Sequence, residues 1–116
     1  MSVNDDASTV EYDKLVRDDV PAVIRAAGER PVTRTVAGEE LDRYLLDKLV
    51  EEATEAREAA GDAEESLDAE LADLATVLDT LVERRDRDRI ERLRREKAAE
   101  RGAFAAGVVL ERVEES

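Results

Sequence analysis

The apolar positions of this chain repeat mostly at helical spacing. Leu41, Tyr44, Leu45, Leu49, Ala56 and Ala59 fall within one arc at helical periodicity, which is one face of a helix running from Gly38 to Gly61. Leu67, Leu71, Leu74, Val77, Leu78, Leu81 and Val82 repeat the pattern and predict a third helix from about Ser66 to Arg84. A shorter helix precedes both, over Asp18 to Gly28, with an Asp at its cap, Pro21 in its first turn and Gly28 closing it. Asp86 or Asp88 starts a charged fourth helix that ends at Gly102. Pro31–Val36 and Val108–Val113 are β-branched stretches and predict two strands. A lone two-stranded ribbon is marginal, so the two are expected to pair and to lie on the helices. Residues 1–10 read as a flexible tail, Asp62–Glu65 as a polar connection, and 11–116 as one helical domain.

Two acid pairs interrupt this pattern in the wrong place. At about 100° per residue, Glu52 and Glu55 fall inside the apolar arc of the second helix, together with Lys48. Arg43 and Arg57 lie opposite, where a solvated charge belongs. On the third helix Glu70 falls within the stripe and Asp73 on its edge, whereas Asp68 and Asp79 lie well outside. A short connection makes the two helices antiparallel neighbours, so Glu52-x-x-Glu55 and Glu70-x-x-Asp73 sit near the same end and can meet.

Composition then restricts the chemistry. The chain of 116 residues has no Cys and no His. Thiolate and imidazole nucleophiles, bases and metal ligands are thereby excluded. Asp and Glu number 31 against 18 Lys and Arg, a formal charge of -13, which disfavours a nucleic-acid polymer as partner. No apolar run is long enough to span a membrane and the first residues lack a signal-peptide core, so a cytoplasmic location is expected. Lys14, Lys48 and Lys97 are the only lysines, and this acidic, Lys-poor composition resembles that of proteins from salt-loving, halophilic cytoplasms.

Like charges about 4 Å apart repel by about 4 kcal/mol at an effective dielectric near 20. Four half-buried acids must therefore stay protonated or take a cation. With oxygen ligands alone, the ion would be Mg²⁺, Mn²⁺ or Ca²⁺, and Mg²⁺ commonly shares its sphere with substrate phosphates. On the fourth helix Lys97 and Arg101 continue the stripe of Ile90 and Leu93, and near the N-terminus Lys14 and Arg17 precede a helix start. All four are candidates for meeting phosphate, or else for balancing charge at a helix end or surface.

At this point the residues resemble a known family. Glu52-x-x-Glu55 followed by Glu70-x-x-Asp73 is similar to the metal-binding signature of the all-α nucleoside-triphosphate pyrophosphatases, the MazG-like superfamily. Lys14-Leu15-Val16-Arg17-Asp18 with Pro21, and Lys97 to Phe104, resemble the opening and closing motifs of its small phosphoribosyl-ATP pyrophosphohydrolase-like subgroup. The resemblance implies a four-helix all-α bundle, a homodimer or higher homo-oligomer, and Mg²⁺ (or Mn²⁺ in its place) held by Glu52, Glu55, Glu70 and Asp73. It further implies cleavage between the α- and β-phosphates of a nucleotide substrate with release of pyrophosphate. Carried onto this chain, Lys14, Arg17, Lys97 and Arg101 are the phosphate contacts. A Glu-Glu pair opens the motif. The helical wheel prefers Glu52 and leaves open whether Glu51 is an outer ligand.

Two other functions remain open. One is phosphoribosyl-ATP hydrolysis in histidine synthesis. Tyr12, Tyr44 and Phe104 are the only aromatic residues available to stack a base. The other is a non-catalytic helical dimer that binds through the outward-facing Leu46 and Val50.

Overall fold

The computed structural model describes residues 9–62 and 66–115. Most of the expected tail, and most of the connection between the second and third helices, lie outside them. Among the described residues the protein is mainly α, with four helices: α1 (Val20–Ala26), α2 (Gly38–Ala60), α3 (Leu67–Glu83) and α4 (Arg87–Arg101). None is long and apolar enough to cross a membrane.

Several helix boundaries follow from local chemistry. Pro21 occupies the first turn of α1, where its missing N–H costs nothing, and Asp19 is the N-cap without a side-chain bond. Ser66 accepts a hydrogen bond from the Ala69 N–H at 3.1 Å and opens α3. Asp86 does the same for α4, accepting from the Arg89 N–H at 3.0 Å. Gly102 ends α4 at φ 79°, ψ -172°, a backbone conformation that side-chain-bearing residues rarely adopt.

The chain divides into two compact units, residues up to Leu81 and residues from Val82 onward. In the first, the buried face of α2 carries Leu45, Glu52, Ala56 and Ala59. Leu74, Val77 and Leu81 of α3 are half-buried. The core is thin, since Leu45, Ala56 and Ala59 are its only buried apolar residues among those described. Leu46, Val50, Leu71 and Leu78 remain exposed. In the second unit α4 is laced with pairs such as Arg87–Glu83 and Arg94–Glu91, each worth only tenths of a kcal/mol at such exposure.

Neither of the two expected strands appears. Pro31–Val36 and Val108–Val113 run without regular structure, and no strand occurs among the described residues. Val32 and Val108 are 92% and 87% exposed. β-Branched residues favour extended backbone, but a strand needs a partner and a covered face, and these stretches have neither.

Candidate metal centre

α2 and α3 bring three acids together. Glu52, Glu55 and Glu70 each offer a carboxylate oxygen, and these oxygens all lie within 4.8 Å of one another. Glu52 is only 5% exposed, while Glu55 and Glu70 are half-buried. One oxygen of Glu52 and one of Glu70, both named Oε2, are buried without a hydrogen-bond partner. Buried polar atoms normally find partners, and two unpartnered carboxylate oxygens beside a third acid form a donor set that a hard cation would satisfy. The donor set is all oxygen and anionic, which fits Mg²⁺ or Mn²⁺. A cleft of about 380 Å³ adjoins the group, lined by Glu55, Glu58, Ala59, Asp62 and Glu70.

The chain partly compensates this charge itself. Lys48 Nζ lies 3.3 Å from Glu52 Oε1, one turn back along α2, and 3.3 Å from Glu51 Oε2. Burial alone would lower the Lys48 pKa, but the two carboxylates hold it above its ordinary value. The Glu52 carboxyl is nonetheless pushed up. Burial is the largest cause, and repulsion from Glu55 and Asp73 adds to it, which together outweigh Lys48. Removing Lys48 would leave Glu52 buried without its cation. Lys48→Met is expected to destabilise the metal-free protein by roughly 3 kcal/mol at neutral pH in urea denaturation. Adding Glu52→Gln to that variant should recover most of the loss. A Lys48→Met protein as stable as the parent would show that the pair holds nothing.

The other expected site residues divide into three groups. Asp73 falls outside the triad of oxygens and accepts a hydrogen bond from Arg17 at 2.7 Å, a contact spanning 56 residues. Lys14 lies 3.5 Å from Glu51 Oε1, so two of the chain's three lysines converge on Glu51, which holds cations and does not join the triad. Lys97 and Arg101 are exposed on α4 in the second unit.

Sequence reasoning missed the lysine clamp at Glu51. The scarcity of lysine was its available signal, because a chain that otherwise uses arginine keeps ammonium groups at Lys14 and Lys48. It also missed the role of Tyr44, considered above for stacking a base. The Tyr44 hydroxyl donates to Asp13 at 2.5 Å and accepts from Arg34 at 2.8 Å. The guanidiniums of Arg34 and Arg43 lie 5.6 and 5.8 Å from its ring centroid. Tyr44 therefore ties the segments before and after α1 to α2. The bond to Asp13 is the largest cause raising its pKa. Tyr12, 72% exposed, carries Lys14 over its ring at 5.5 Å.

Comparison with known proteins adds little to this geometry. A stretch of 46 residues, 40% of this chain, is 48% identical to an uncharacterized protein of Mycolicibacterium smegmatis and spans 47% of that protein, so the match covers about half the relative's length. No family model and no solved structure matches the chain.

Proposed function

We propose that the protein is a Mg²⁺-dependent nucleotide pyrophosphohydrolase that cleaves a nucleoside triphosphate, or a related nucleotide such as phosphoribosyl-ATP, between its α- and β-phosphates. One observation carries the reading: Glu52, almost fully buried, keeps an unpartnered carboxylate oxygen in a group with Glu55 and Glu70. Glu52, Glu55 and Glu70 would hold the ion, with Asp73 near enough for its charge to act on Glu52. When bound, Mg²⁺ supplies a Lewis acid for phosphoryl oxygens and lowers the pKa of water.

The chain's own residues do the rest. Lys48 neutralises part of the Glu52 charge and holds its orientation from the side away from the free oxygen. Lys14 and Arg17, on the segment before α1, are partly exposed cations suited to the charge of a leaving pyrophosphate. The cleft beside Glu55 and Glu70 gives the polar end of a substrate room next to the acids. The resemblance described above supports the same chemistry.

The test is a panel of nucleoside triphosphates with MgCl₂, analysed for products. Nucleoside monophosphate plus pyrophosphate is expected, and none in EDTA. Nucleoside diphosphate plus phosphate, or no turnover on any nucleotide including phosphoribosyl-ATP, would reject it.

A second reading rests on Leu46 and Val50, which are 53% and 67% exposed on α2. Two large apolar side chains one turn apart in solvent favour a helical interaction surface, and a second copy of the chain is the simplest occupant. This reading is compatible with the first. It stands alone only if the acids bind no cation.

A further inference from the structure

The acids of the candidate centre already carry two internal cations, one for each helix. Lys48 lies on Glu52 and Arg17 on Asp73. They differ in how firmly they are held. The Lys48 side chain is 18% exposed and is gripped by Glu51 as well, so it is built in. The Arg17 side chain is 59% exposed and reaches Asp73 from a segment outside α2 and α3. An ion pair that open to solvent is weak, and a divalent ion held by the neighbouring carboxylates would compete with it for Asp73.

We propose that Arg17 is an exchangeable counter-ion: it neutralises Asp73 while the centre is free of metal and releases it once a divalent cation is held by the acids. The proposal rests on the reading of Glu52, Glu55 and Glu70 as a cation site, which Asp73 joins only once Arg17 lets it go. Its consequence is an order of binding. In the metal-free protein the Arg17 guanidinium is spent on a carboxylate. After the exchange its planar fork is free for the phosphate oxygens of an incoming anion, which it suits equally well. One side chain thereby makes anion binding depend on prior cation binding, beyond the charge the ion itself brings.

The two roles give opposite signs on mutation, which a merely structural arginine would not. Arg17→Gln removes a competitor and a positive charge beside the acids. Titration calorimetry with MgCl₂ alone should give a dissociation constant about two- to five-fold lower than in the parent protein. The same variant, saturated with Mg²⁺, should bind pyrophosphate more weakly than the parent. Arg17→Lys, which keeps the charge, should bind Mg²⁺ like the parent. Mg²⁺ affinity unchanged or weakened in Arg17→Gln would overturn the exchange while leaving the cation site standing. Heat of Mg²⁺ binding absent from the parent and from Arg17→Gln alike would remove the cation site, and the exchange with it.

Discussion

Millimolar Mg²⁺ is expected to raise the melting temperature of the parent protein but not that of Glu55→Gln or Glu70→Gln. That is the largest effect expected here, and it follows from linkage. A ligand bound only by the folded state adds about 2.7 kcal/mol at a hundred times its dissociation constant. In a chain of this size that is a rise on the order of 10 °C. The folded state alone assembles the oxygens of Glu52, Glu55 and Glu70 within 4.8 Å, across helices separated in sequence. The comparison must be made at matched ionic strength, because any salt relieves the self-repulsion of a chain with net charge -13. Equal rises with NaCl, or in both variants, would mean that the acids hold no specific ion. The protein would then be a helical interaction module.

Glu52→Gln should separate stability from function. In EDTA at neutral pH the variant is expected to be more stable than the parent by roughly 1–3 kcal/mol, since a buried charge with an orphaned oxygen gives way to an amide able to donate to the neighbouring carboxylates. The pH dependence should change with it. The Glu52 carboxyl titrates higher in the folded chain than in the unfolded one. The folded state therefore keeps a proton that the unfolded state has lost. Stability from this group is complete below the ordinary carboxylate range and falls as pH rises through the raised value. Metal-free parent protein should lose stability over that window, and Glu52→Gln should lose less. The same variant should forfeit the Mg²⁺-dependent rise and lose at least about 100-fold in pyrophosphohydrolase turnover, the upper end of what outer partners of metal sites contribute. A Glu52→Gln protein that is destabilised in EDTA, or fully active, would contradict the role given to this residue.

The helices were legible because each carries its own punctuation. Pro21, Gly61, Ser66, Asp86 and Gly102 stand within a residue or two of the ends of α1 to α4, and these signals act locally. Burial of Glu52 was legible too, since the helical period that places Leu45, Ala56 and Ala59 inward must place Glu52 with them. The strands were misread because β propensity at Pro31–Val36 and Val108–Val113 describes a preference of the residues and says nothing of a partner. The ion pairs were illegible for a related reason. Arg17 on Asp73 and Lys14 on Glu51 join distant parts of the chain, and no periodicity records which cation reaches which acid.

The scarcity of fully buried apolar side chains also bears on how the chain responds to temperature. Exposure of apolar surface on unfolding sets the heat-capacity increment, and Leu45, Ala56 and Ala59 contribute little of it. A single copy is therefore expected to have a shallow stability curve, with weak curvature and little tendency to cold denaturation. A steep curve measured in calorimetry would report that Leu46, Val50, Leu71 and Leu78 are covered in solution by something besides water.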